Sequence, residues 1–194
     1  MNPYTLNVES IWQLDDEQFF KLSQINPELK LERTPQGNLI IMSPTGGETG
    51  NRNAELIAEF SFWNRQKQQG KVFDSSTGFK LPNGAIRSPD VAWIKQERWD
   101  SLSEEERRKF PCLTPDFVLE LRSETDSLSN LQAKLEEYIE NRVRLGWLIN
   151  PVEKQVEIYR PHQGKEVLDN PKTVSGEDVL EDFILALSLV WDDN

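Results

Sequence analysis

Two carboxylates lie in runs whose other residues read as buried strand: Asp90 in Ser-Pro-Asp-Val-Ala-Trp-Ile (88–94) and Glu120 in Pro-Asp-Phe-Val-Leu-Glu-Leu-Arg (115–122). A carboxylate in an apolar run is costly to bury without a purpose. Carboxylate oxygens are hard ligands for magnesium, whose bound water can attack a phosphodiester. Geometry limits which acids can share an ion. Asp116 and Glu120 on one strand stand roughly 13 Å apart at a rise of about 3.3 Å per residue, whereas magnesium holds oxygens at about 2.1 Å. Glu120 therefore needs an acid from a neighbouring strand, and Asp90 supplies it if those two strands pair.

Side-chain alternation puts Arg122 on the same face as Glu120, where a fixed cation would steady a scissile phosphate. The helical stretch that follows presents Lys134 and Tyr138 at i and i+4, one face of a helix that must pack back on the sheet. Other chemistries are thinly supplied. Cys112 is the single cysteine and His162 the single histidine, which removes disulfides, thiolate and histidine metal sites and a Ser/His/Asp hydrolase. His162 lies between Pro161 and Gly164 and reads as a loop residue. The net charge of −11 argues against a protein that coats nucleic acid non-specifically, but it leaves room for a negative metal site beside a local basic patch.

The elements that must position these residues follow from period and punctuation. Residues 14–25 read as a short helix ended by Pro27, and 30–42 as a hairpin turning at Gly37-Asn38. Leu56, Phe60 and Trp63 recur at helical spacing in a first long helix over 51–70, with Gly70 as its stop. Residues 71–81 predict one or two short strands, 88–94 and 115–122 further strands, and 96–111 a charged helical turn. Thr125, Asp126 and Ser127 offer N-caps for a second long helix to about 142, with Leu128, Leu131, Leu135, Tyr138 and Ile139 on its apolar face. Leu-Gly-Trp-Leu-Ile-Asn and Gln-Val-Glu-Ile-Tyr predict a hairpin around Pro151–Lys154, and the tail a sheet edge.

The expected class is α/β or α+β, a mixed sheet flanked by helices with an N-terminal helix-hairpin extension. At 194 residues the length suits a single domain, 1–194: a cover over 1–45, a core over 46–160 and an edge extension over 161–194. No run approaches the ~18 apolar residues of a membrane span, and no basic-then-apolar leader opens the chain, so the expected location is cytoplasmic.

Ser-Pro-Asp-Val-Ala-Trp-Ile, Pro-Asp-Phe-Val-Leu-Glu-Leu-Arg-Ser-Glu-Thr-Asp-Ser, the stretch from Leu131 to Pro151 and Met-Ser-Pro-Thr-Gly-Gly-Glu-Thr-Gly-Asn-Arg-Asn-Ala-Glu-Leu (42–56) together resemble the Uma-two family. That is a group of restriction-endonuclease-like proteins of cyanobacterial type within the PD-(D/E)XK nuclease superfamily. The resemblance implies a restriction-endonuclease-like core, Mg²⁺ (with Mn²⁺ as substitute) held by Asp90 and Glu120, and DNA as substrate. It also singles out Arg122, because the superfamily usually carries lysine there. Arginine stays protonated at neutral pH and is no general base, so the resemblance implies that Lys134 takes the lysine's role. Glu55 corresponds to an acid that some superfamily members present to the metal.

Each residue also has a plainer reading. Asp90 alone would be a Pro-Asp turn acid, Glu120 a buried ion-pair partner, Asp116 a strand-start acid bonded to nearby backbone, Tyr138 core and Lys134 a solvated helix residue. Both acids together with the lysine-tyrosine helix favour the metal site. The alternatives are a nuclease-fold binding or regulatory module without catalysis, motivated by Arg122 and the acidic balance, and a homodimer formed through the apolar segment 183–191.

Overall fold

The computed structural model describes residues 4–8 and 14–191. In chain order the elements are β1 (Tyr4–Leu6), α1 (Asp16–Ile25), β2 (Lys30–Arg33), β3 (Leu39–Met42), α2 (Gly47–Lys67), β4 (Gly70–Asp74), β5 (Phe79–Lys80), β6 (Ile86–Arg87), β7 (Val91–Lys95), α3 (Gln96–Asp100), α4 (Glu104–Arg108), β8 (Phe117–Leu121), α5 (Leu128–Glu140), β9 (Leu145–Asn150), β10 (Gln155–Tyr159), β11 (Glu166–Asp169), β12 (Thr173–Ser175), β13 (Ile184–Ala186) and α6 (Ser188–Trp191). A six-stranded sheet runs β11-β10-β9-β8-β7-β4, a five-stranded sheet β1-β3-β2-β6-β5, and β12 pairs with β13. The large sheet is mixed: β8 and β9 are parallel, while β7 runs antiparallel to β8 and β10 antiparallel to β9. The parallel pair needs a crossover, and α5 provides it. Mixed α+β architecture with a helix-flanked mixed sheet is what the sequence led us to expect.

The two faces of the large sheet are covered differently. Leu56, Phe60 and Trp63 of α2 pack with Val91, Trp93, Phe117, Leu119, Trp147 and Ile149 on one face, joined by Phe183, Leu185, Leu187 and Val190 from the tail. On the other face Leu135 and Tyr138 of α5 pack against Val118 and Leu148. The tail segment expected to mediate dimerisation is thus folded into its own chain's core. The smaller sheet buries Leu31, Leu39 and Ile86 beneath Phe19 of α1, so alternation turns Lys30 and Glu32 of β2 the other way, toward the cleft that α5 also lines.

Two local signals act otherwise than expected. The first long helix starts earlier, at Gly47, and Gln68 rather than Gly70 takes the left-handed C-cap, with φ 54° and its N–H donating to Asn64 O. Gly70 serves packing instead: a Cβ there would stand 2.3 Å from Ile94 O and 2.4 Å from the Trp93 ring. Pro89 stays outside β7, and the preceding Ile86–Arg87 pairs in the smaller sheet, which ties the two sheets together immediately before Asp90.

Leu135 sets the distance between α5 and the sheet, since its Cδ1 lies only 2.8 Å from where a Cβ on Gly146 of β9 would be. Leu135→Ala is expected to cost about 2–5 kcal/mol, as buried leucine truncations do. Urea unfolding measures this, and a loss under about 1 kcal/mol would show that α5 is held chiefly by its polar contacts.

Candidate metal centre

Val91, Ala92 and Trp93 of β7 stand opposite Leu119, Val118 and Phe117 of β8. One step further along the same register brings Asp90 opposite Glu120. Residues directly opposite share a face with Cβ atoms about 4.5–5.5 Å apart. The junction is fixed by Leu121 N, which donates to Asp90 Oδ2 at 2.9 Å. The face is the one α5 covers, and α5 delivers two side chains to Glu120. Lys134 Nζ lies 2.9 Å from Glu120 Oε1, and Tyr138 OH donates to the same oxygen at 3.1 Å. Glu120 Oε2 accepts no hydrogen bond among the described residues.

The smaller sheet completes the cluster with residues the sequence reading did not single out. Glu32 of β2, 2% exposed, accepts from Lys134 Nζ at 2.9 Å and from Ser88 N at 3.0 Å on Oε1, and from Arg87 Nη1 at 3.1 Å on Oε2. Arg87 Nε in turn donates to Glu137 Oε2 of α5 at 2.6 Å. The result is an alternating chain, Glu120, Lys134, Glu32, Arg87, Glu137, that links both sheets through one helix, with Asp90 beside its first member. The first 45 residues are therefore more than a cover.

Burial and charge balance set the protonation of each group. Burial pushes the Glu120 carboxyl up, and the charges of Asp90 and Glu32 add to this against the opposing Lys134, leaving it at about 7. Burial likewise raises Asp90, opposed by Lys30, the Leu121 N–H and Lys134. Burial would raise Glu32 too, but Lys134 and Arg87 outweigh it and hold the carboxyl at about 2. Burial would lower Lys134, yet Glu120 and Glu32 hold its ammonium above the usual lysine range. Tyr138 is raised well above a normal phenol by burial and by Glu120. Negative charge is compensated at Glu32 and left in excess at Asp90 and Glu120.

The other sequence-singled residues lie apart. Arg122 follows β8, and its guanidinium is drawn to Asn150 Oδ1 at 3.2 Å and Glu153 Oε1 at 3.6 Å, so it lines the cleft without pairing with Glu120. Asp116 sits at the opposite end of β8, where Oδ2 accepts from Lys95 N at 2.9 Å and from Arg98 Nη1 at 2.8 Å; it holds a strand start. Glu55 is exposed on α2 and does not line the cleft. Leu56 turns inward beside it, and Gly47, Glu48, Thr49, Arg52 and Asn53 are the residues of α2 that reach the cleft. The helical period of Leu56, Phe60 and Trp63 carried that correction. The cleft itself has a volume of about 1430 Å³ between the smaller sheet, the start of α2 and the start of α5, and Glu32, Asp90, Glu120 and Lys134 lie in its wall.

The residues fit a magnesium ion. Among the described residues no three His, Cys, Asp or Glu side chains gather into a set that could by themselves hold a metal, but magnesium is commonly bound by one or two carboxylates with water and substrate phosphate in the remaining positions. Asp90 and Glu120 offer hard oxygens on one face, each carboxyl raised by burial in a place where negative charge is in local excess. Glu32 is already engaged by three donors, two on Oε1 and one on Oε2, so the ligand set rests on Asp90 and Glu120.

A family profile described as "Uma2: Putative restriction endonuclease" matches residues 16–188. No curated protein matches the chain. Among solved structures it is similar to "a putative nuclease belonging to DUF820 from Anabaena variabilis ATCC 29413", with a TM-score of 0.76 and 20% identity over 92% of this chain and 97% of that one, a likeness of fold. No described helix is long and apolar enough to cross a membrane.

In the unfolded chain Glu120 releases its proton near 4.5, whereas in the folded chain it keeps it to about 7. The folded state binds the extra proton between these values, so this group's contribution to stability falls as pH rises through that window and is level above it. Glu120→Gln is expected to gain stability relative to wild type from about pH 5 to 7.5 and to hold the gain beyond, read from urea unfolding at each pH; a difference that does not change with pH contradicts the burial argument. Lys134→Met removes the cation shared by two buried carboxylates and is expected to cost about 3–5 kcal/mol at about pH 8. Chemical denaturation measures it, and a loss below about 1 kcal/mol would mean that Arg87 alone suffices for Glu32.

Proposed function

The chain belongs to the Uma2 family of "putative restriction endonuclease" proteins, and from that premise we propose that it is a divalent-metal-dependent endonuclease that hydrolyses DNA phosphodiester bonds. The observation that carries the proposal is that the β7–β8 register and the Leu121 N–Asp90 bond bring Asp90 beside Glu120, both lining a cleft and flanked by a buried lysine.

In this reading Asp90 and Glu120 hold Mg²⁺, or Mn²⁺ in its place. The bound ion supplies Lewis acidity toward a phosphoryl oxygen and lowers the pKa of a water. The protein's own groups do the positioning. Tyr138 and Lys134 both bond Glu120 Oε1, which fixes the carboxylate and leaves its other oxygen for the ion. Leu121 N fixes Asp90 by one oxygen in the same manner. Lys134 is kept charged by Glu120 and Glu32, so it is no general base; its role is to neutralise charge that develops next to the carboxylates. Arg122 faces the cleft at the end of β8 and adds positive potential without touching the ligands.

Ligation requires the ionised carboxylates, so ion affinity should tighten as pH rises toward about 7 and level above it. Titration calorimetry with magnesium or manganese is expected to show binding by wild type that Asp90→Asn and Glu120→Gln abolish. Plasmid cleavage should fall with it to below about a hundredth in both variants. Cleavage that persists in both would place the chemistry elsewhere, and metal binding without any cleavage would leave a nuclease-fold binding module.

A further inference from the structure

We propose that Lys30 is the side chain that grips a backbone phosphate of the DNA next to the Asp90–Glu120 pair, an assignment that rests on the nuclease reading above. Six Lys or Arg and eight Asp or Glu residues line the cleft, so cations available to a polyanion are scarce, and most of the six are already engaged. Lys134 is shared between Glu120 and Glu32. Arg87 is tied to Glu32 and Glu137, Arg122 to Asn150 and Glu153, and Arg52 lies 4.0 Å from Glu48. Lys30 and Lys154 make no side-chain ion pair or hydrogen bond among the described residues.

Position separates these two. Lys154 stands in the turn between β9 and β10, exposed and with φ 51°. Lys30 opens β2, two residues from Glu32, and alternation turns both toward the same cleft. Arg33 pairs with Ile86 across β2 and β6, and Glu32, between Arg33 and Lys30, accepts from Ser88 N, which holds this strand beside the segment that leads into Asp90. The electrostatics agree: burial raises the Asp90 carboxyl, and of the charges that oppose this, Lys30 is the strongest. A phosphate approaching the carboxylates through that cleft therefore meets Lys30 from β2, in a wall that Lys134 and Glu137 line from α5. A flexible four-carbon stem with a compact charge suits a point contact of this kind.

The test compares wild type, Lys30→Ala and Lys30→Arg by anisotropy of a fluorescein-labelled DNA duplex in calcium across a range of salt, with magnesium calorimetry and thermal melting in parallel. Lys30→Ala is expected to bind DNA about tenfold more weakly and to lower the salt slope by about 0.9, with melting unchanged and magnesium affinity equal or higher. Lys30→Arg should recover most of the DNA affinity. If Lys30→Ala binds DNA with wild-type affinity and slope, Lys30 is only a counter-charge for Asp90 and the assignment is overturned alone. It is overturned in the same way if magnesium affinity falls as much as DNA affinity does, since the lysine would then support the ion site. Wild type that binds no DNA overturns the nuclease reading and this assignment together.

Discussion

Lys134 is the pivot of the molecule. An ammonium buried between two carboxylates from two different sheets survives only because both stay within hydrogen-bonding distance, 2.9 Å on each side, and without it Glu120 would be an uncompensated charge in a poorly solvated place while Glu32 would keep only Arg87 as counter-charge. The alternation continues through Arg87 to Glu137, and Asn83 adds a bond to the same Glu137 at 3.0 Å. Helix α5 is thereby bound to the large sheet by apolar contact as well as by Glu120, and to the small sheet by charge. The first of these is non-directional; the second fixes register, because a slip of one residue on β2 would turn Glu32 away and bring Leu31 to the ammonium.

Compensation stops one residue short. Asp90 adds a third carboxylate to a cluster whose cations are already shared, and the raised carboxyls of Asp90 and Glu120 are the physical expression of that excess in a buried place. A fold selected for stability alone would place a neutral or apolar residue at one of these positions, since replacing surplus buried charge commonly stabilises. On the proposed reading, this excess, confined to one end of β7 and β8 and facing a cleft, is what draws a doubly charged ion there.

How much of this was legible beforehand depended on the range of the interaction. Asp90 and Glu120 could be brought together from sequence because strand rise excludes Asp116 and because an acid within Phe-Val-Leu-Glu-Leu needs a reason to be there. The lysine-tyrosine face of α5 followed from its period. Glu32 and Lys30 were not found, because in Lys-Leu-Glu-Arg-Thr they alternate with Leu31 as the polar face of a hairpin, a pattern that normally means solvent. Only the docking of α5 onto that face buries Glu32, and no local signal reports it. Glu55 was over-read in the opposite sense: it adjoins Leu56 on a helix whose inward positions, Leu56, Phe60 and Trp63, were already evident, and that face meets the other side of the sheet.

The identity of residue 122 then matters less than its position suggests. A lysine at that point would reach forward along β8, but here the strand ends at Leu121 and the next side chain is captured by Asn150 and Glu153 at the end of β9. The cation beside Glu120 comes from across the helix crossover instead, held by a carboxylate of the other sheet. Because that cation is saturated by its two acids, the cleft carries more negative than positive charge and opposes a polyanion until the excess at Asp90 and Glu120 is neutralised. On the proposed reading, ion and DNA must therefore strengthen one another's binding by the same factor, since the ion removes charge that repels the DNA and the DNA adds charge that attracts the ion. On that reading the acidic composition of the whole chain, which at first argues against a nucleic-acid enzyme, is a means of making DNA binding conditional on the metal.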